Sequence, residues 1–329
     1  MMGISGIPGS IGNPGEHELS SLHKGIAVKS KLQCALFAAA LSACPLMLSH
    51  AQVRPNANED DGYTALIRAV RAGRLDQVKE LISAGADVNA KGSGGTTALM
   101  NAAAMDSTEC VTALISAHAD VNAKDNDGIT ALMYVAGELY ADRSRALRGA
   151  AGNLARLEGL IAAGANVNAK DKEDMTVLMF AAESGNLGDL KALIAAGANV
   201  NDRASDGSSA LERAASLESA DCVKVLIAAG ADVNAMDKNG WTALSMAVNA
   251  DDADCVKALI ASHADVNVKD NMGHTTLMGA ARLAHVDQVK ALISAGADVN
   301  ARDNVGTAVL AVAGSKDVAA ILRAAGATN

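Results

Sequence analysis

The 329 residues carry 37 Asp and Glu against 28 Lys and Arg, a net charge of −9, and are 50% hydrophobic yet only 2% aromatic. That balance excludes a mostly disordered chain, which lacks apolar surface to bury, and argues against a nucleic-acid binder, which needs basic stripes and stacking aromatics. A length that ordinarily suggests two compact domains has to be built on a core of Ala, Leu, Ile and Val with only four prolines.

Residues 1–27 are rich in Gly, Ser and Pro, show no periodicity and are expected to be unstructured; translation is expected to start near Val28 from an alternative start codon. Lys29 and Lys31 precede an apolar run from Leu32 to Leu48, and Ser49 and Ala51 put small residues at −3 and −1 before Gln52. A cationic flank, an apolar stretch shorter than the roughly 20 residues of a membrane span, and a small-residue site make a secretory signal. Residues 28–51 are therefore expected to be cleaved after Ala51, sending the chain to the periplasm or the medium, with 52–58 as a linker. Two alternatives stand beside this: Leu41-Ser42-Ala43-Cys44 matches a lipobox, which would make Cys44 a lipid anchor, and the segment could remain as an uncleaved anchor. No segment after Gln52 is apolar enough to span a bilayer.

Beyond residue 58 one phrase recurs. Thr-Ala-Leu at 64–66 returns at 97–99, 130–132 and 242–244, with variants at 176–178, 209–211, 275–277 and 308–310. The closing Leu falls at 66, 99, 132, 178, 211, 244, 277 and 310, at intervals of 33 except for one of 46. A second phrase, Gly-Ala-Asp-Val-Asn-Ala, recurs at 85–90, 230–235 and 296–301. A fixed period of this length is the mark of a stacked repeat array. In the first unit Thr64 is placed to cap a helix that Gly73 ends, and Asp76 opens a second helix on its positive end. Val78, Leu81 and Ile82 fall on one apolar stripe, and Gly85 is expected to close that helix in a left-handed conformation. Asp76–Lys79, Asp221–Lys224, Asp254–Lys257 and Asp287–Lys290 share a spacing that allows pairing on the outer side.

These phrases resemble the ankyrin repeat, Asp-x-x-Gly-x-Thr-Pro-Leu-His followed by a helix pair and Gly-Ala-Asp-Val-Asn. The resemblance covers about 270 residues as eight units: 59–91, 92–124, 125–170, 171–203, 204–236, 237–269, 270–302 and 303–329. It implies an all-α repeat solenoid of stacked helix-turn-helix units joined by β-hairpin-like loops, stabilised mainly between neighbours. One departure is systematic. Thr-Pro-Leu-His becomes Thr-Ala-Leu followed by Ile67, Met100, Met133, Met179, Glu212, Ser245, Met278 or Ala311, which puts the family's Thr–His hydrogen bonding in doubt. The third unit carries 13 extra residues, 137–149, with Arg143, Arg145 and Arg148. They read as an extended helix pair with solvated arginines, or as a docking arm.

The chemistry-bearing residues point away from catalysis. Cys110, Cys222 and Cys255 each lie 11 residues after their marker Leu, one structural position used three times. In ankyrin-like stacking such positions sit roughly 10 Å apart, beyond the roughly 7 Å Cα limit of a disulfide. His118 and His263 stand where other units have a helix-ending Gly, and His285 matches the family's His after that turn. The Asp-rich hairpins lack the Glu that completes a calcium loop, and no phosphate loop or nucleophile elbow is present. No enzyme activity, metal or cofactor is expected.

What remains is a surface. The resemblance implies a concave face, made by hairpin tips and first helices, that binds proteins. The residue before each Thr varies freely, and the partner-binding residues expected on that face are Tyr63, Met175, Trp241, Met272 and His274. Lys91, Lys124, Lys170, Arg203, Lys269 and Arg302 form a basic ladder beside Asp125, Asp171, Asp237, Asp270 and Asp303, read chiefly as a solvated rim. The expected function is a monomeric, exported interaction scaffold for a protein partner, without nucleic-acid binding. A structural or protective envelope protein and a secreted effector acting on a host protein are the alternatives.

Overall fold

The computed structural model describes residues 62–137 and 150–328. The signal segment, the lipobox at Cys44, the linker and insertion residues 138–149, with Arg143, Arg145 and Arg148, lie outside them. Helix pairs follow one another at the spacing of the repeats. They are α1 (Ala65–Arg71) with α2 (Leu75–Ser83), α3 (Ala98–Ala104) with α4 (Thr108–Ser116), and α5 (Ala131–Gly137) with α6 (Ala150–Ala162). Next come α7 (Val177–Ser184) with α8 (Leu187–Ala195), and α9 (Ala210–Ser216) with α10 (Ala220–Ala228). Then follow α11 (Ala243–Asn249) with α12 (Ala253–Ala261), α13 (Thr276–Leu283) with α14 (Val286–Ser294), and finally α15 (Lys316–Ala324). First helices pack on first helices and second helices on second helices, giving the two layers of an all-α solenoid. The loops close with isolated antiparallel bridges, Lys170 with Thr176, Lys269 with Thr275 and Arg302 with Ala308, which makes them hairpin-like.

The repeated phrase is a capping device. Thr64 Oγ1 accepts the Ile67 N–H at 3.2 Å, and Thr97, Thr130, Thr176, Thr242 and Thr275 do the same three residues on. Where the family motif has His, Met completes the turn from the other side. The Thr97 N–H points at Met100 Sδ (3.3 Å), Thr130 at Met133 (3.5 Å) and Thr176 at Met179 (3.5 Å). Gly73 and Gly85 end their helices at φ +67° and +82°, and His118 and His263 take the left-handed conformation at +62°. Of the expected ion pairs, Lys224–Asp221, Lys257–Asp254 and Lys290–Asp287 form at 3.1, 3.3 and 3.7 Å on exposed side chains. Such pairs contribute at most about 0.5 kcal/mol each.

Beyond the packing of their helices, repeats are tied together by the last Asn of Gly-Ala-Asp-Val-Asn. Asn201 Oδ1 accepts the Asp232 N–H at 2.8 Å while its Nδ2 donates to the Gly230 carbonyl at 3.0 Å. Asn122, Asn168 and Asn267 repeat the arrangement with the following unit, satisfying carbonyls that the helix end leaves open. The basic ladder, largely exposed as a rim, is also a second tie. Lys91, Lys124 and Lys269 donate to the carbonyls of Lys124, Lys170 and Arg302, and Arg203 to that of Met236, each one unit further along. The adjacent Asp residues are turn caps: Asp237 Oδ1 accepts the N–H groups of Asn239 and Trp241, both at 2.8 Å.

Leu, Val, Ala and Met from both layers form one buried core. Cys110, Cys222 and Cys255 are buried in it and unpaired. Burial raises the thiols of Cys222 and Cys255 above their ordinary range, so they pack as small apolar groups. The same position holds Arg156, Asp189 and Gln288 in other units, all buried. Arg156 donates to the Ala103 carbonyl and to Asn153 Oδ1, both at 2.7 Å, and pairs with Asp106 at 2.8 Å. Asn153 Nδ2 in turn reaches Asp189 Oδ2 at 2.8 Å. Asn153 stands at the capping position of the other second helices but lies inside α6, which the insertion extends to 13 residues against nine elsewhere. In the last unit the first helix is reduced to a 3-10 turn, Val309–Val312, because three residues are missing and Ala308 replaces the capping Thr.

Candidate protein-interaction groove

The first helices α11 and α13 stand side by side, each started by its Thr cap, and their hairpins lie above them. Between them runs a groove whose walls carry Trp241, Val248, Met278 and Leu283 and whose polar groups include Asn249, His274 and Arg282. Trp241 is half-buried, its backbone held by Asp237, so the ring is presented from a fixed turn. His274 lies one unit further on, its backbone N–H on Asp270 Oδ1 (2.8 Å) and its Nδ1 3.3 Å from Asp270 Oδ2. Its Nε2 faces Asp303 Oδ2 at 3.9 Å. Burial tends to raise the Asp303 carboxyl, but hydrogen bonds from Thr307 and Val305, with His274 nearby, hold it below the usual carboxylate range.

The structure brings together two of the five expected residues in this groove, Trp241 and His274. Met272 stands at the tip of the neighbouring hairpin, 67% exposed. Tyr63 is at the opposite end of the array, in the first unit, where Arg71 stacks on its ring 4.6 Å from the centroid. Met175 is corrected. It is 5% exposed because its apolar side chain packs into the shared core, although Asp171 accepts its N–H at 2.8 Å just as Asp237 accepts that of half-buried Trp241. Variability before Thr therefore marks a position that some units bury and others leave half-buried.

Sequence reasoning missed Gly279, Asn249, Leu283 and Arg282, which complete the groove. The available signal was Gly279 itself, a helix-interior glycine where a helix pays about 1 kcal/mol relative to Ala. It also missed Glu212 in α9, 1% exposed, whose Oε2 accepts the Ser209 N–H at 2.5 Å while Oε1 has no partner among the described residues. Burial pushes this carboxyl up to about 7, against the lowering effect of Ser209 and Arg203. Among the described residues no three His, Cys, Asp or Glu side chains cluster to hold a metal, and no helix is long and apolar enough to cross a membrane.

A stacked two-layer array of repeated helix pairs defines the class, a repeat-built solenoid. Family models confirm which one: ankyrin repeats (3 copies) match residues 17–92, 144–237 and 221–303, and ankyrin repeats (many copies) match 81–135. The chain belongs to the ankyrin repeat family, whose members serve generally as protein–protein interaction scaffolds and are typically non-catalytic. Comparison with curated proteins finds no match.

Proposed function

We propose that this chain is an exported, non-catalytic interaction scaffold that grips a partner protein on the concave side of its sixth and seventh repeats. The observation that carries this reading is the groove, which gathers Trp241 and His274 between two rigid helices while Met272 projects beside it. Aromatic side chains on rigid supports are the usual anchors of protein interfaces. Export rests on the cationic flank, apolar run and small-residue site ahead of Gln52. In this reading the processed chain acts as a monomer. Replacing Trp241 by Ala should weaken binding of a partner captured from the cell envelope by more than about 1 kcal/mol. An unchanged affinity would move the contact elsewhere. N-terminal sequencing of the processed protein should begin at Gln52.

A further inference from the structure

One wall of the groove beside Trp241 lacks a side chain that the other first helices carry. Two positions after the marker Leu the first helices carry Arg68, Asn101, Tyr134, Phe180, Arg213 and Met246, whereas α13 carries Gly279. This glycine serves no turn: its φ is not positive, and a Cβ built on it meets nothing within 4 Å. The space it leaves lies between the ring of Trp241 and the exposed side chain of Leu283.

The polar groups around that space are unequally engaged. Asp270 Oδ1 takes the N–H groups of Met272 (2.9 Å) and His274 (2.8 Å), and its Oδ2 faces the His274 ring. By contrast the Arg282 guanidinium, the Asn249 amide and the Trp241 indole N–H have no protein partner among the described residues. The wall's carboxylate is therefore engaged, whereas the Arg282 guanidinium, an exposed full positive charge, and the exposed Asn249 amide are left without protein partners among the described residues. A guanidinium that lines the same groove as an amide suits a carboxylate, to which it can donate two parallel hydrogen bonds. The gap over Gly279 suits an apolar side chain.

Resting on the interaction reading above, we infer that the groove takes a segment of a partner protein with an acidic residue next to an apolar one. The carboxylate is held by Arg282 and Asn249, and the apolar side chain sits over Gly279 between Trp241 and Leu283. Long-range steering is not part of this recognition, since the chain as a whole is acidic; selection occurs at contact.

Trp241 is the only Trp in the chain, so its emission reports on the groove alone. Titration of the purified protein with acetyl-Ala-Leu-Glu-Leu-Ala-amide should give a saturable change in that emission. Acetyl-Ala-Leu-Lys-Leu-Ala-amide should bind at least about tenfold more weakly. Gly279→Leu fills the space with a better helix former, so the melting temperature should hold or rise while peptide binding falls about tenfold or more. Arg282→Gln should remove the preference for Glu over Lys. Equal binding of the two peptides, no response to the Glu peptide, or full binding by Gly279→Leu would each overturn the inference. A captured partner protein whose binding survives Gly279→Leu would do so too, yet leave the scaffold role standing.

Discussion

Repeats three and four and repeats six and seven use one backbone frame in opposite ways. In the third and fourth units the buried position of the second helix holds Arg156 and Asp189, linked through Asn153, and the first helices fill their outer side with Tyr134 and Phe180. In the sixth that buried position is apolar Cys255, in the seventh it is Gln288, and Gly279 leaves the outer side open. Polar groups at that position find partners one unit back. Asp106 meets Arg156, and Asp251 meets both Gln288 (2.8 Å) and His285 (3.4 Å). Both Asp residues occupy the left-handed turn between helices, at φ +60°. The difference teaches that the buried position of the second helix and the outer position of the first helix vary independently along the array.

The largest expected loss from a substitution breaks the polar half of this comparison. Arg156→Ala strands the Ala103 carbonyl and the Asn153 amide around a vacated buried site, and should cost about 2–3 kcal/mol in urea unfolding. Cys255→Ala, at the equivalent position, should cost only about 1 kcal/mol. Similar losses at the two sites would erase the distinction.

Glu212 lies in the unit between the two regions and should make stability fall with rising pH. Its folded pKa, about 7, lies above the ordinary carboxylate value of 4.5, so the native state holds the proton more tightly. Stability is then greatest below the unfolded pKa and declines through this interval, by about 3 kcal/mol in total. Glu212→Met, which copies repeats two to four, should abolish the decline and stabilise the protein at pH 8. A pH profile unchanged by that substitution would assign the decline to other groups.

The smallest effect concerns the turn that ends the first helix. Gly185 occupies it in the fourth unit at φ +69°, and Ala284 in the seventh at +62°. The Cβ of Ala284 is strained there, so Ala284→Gly should raise stability by about 0.5–1 kcal/mol in thermal unfolding. Gly185→Ala should lower it by a similar amount.

Much of the fold was legible in the sequence because a repeat displays each decision eight times. Thr caps, left-handed Gly and His, the stripe of Val78 and Leu81, and unbridged cysteines all follow from short-range rules. The groove was half legible. Trp241 and His274 stood out by type and position, whereas Met175 occupied the same position and turned inward. Local pattern places a residue at the mouth of a hairpin but does not say whether its side chain packs into the core.

The sequence by itself determined the repeat period, the helix pairs and their caps, since these depend on neighbours within one unit. Only the tertiary structure decided what lies between units. It showed Asn201 and Lys269 bonding to the next loop, Arg156 buried against a carbonyl 53 residues away, and a groove lined by Gly279. Those contacts join side chains one repeat or more apart, and their existence depends on how closely the stacked helices approach.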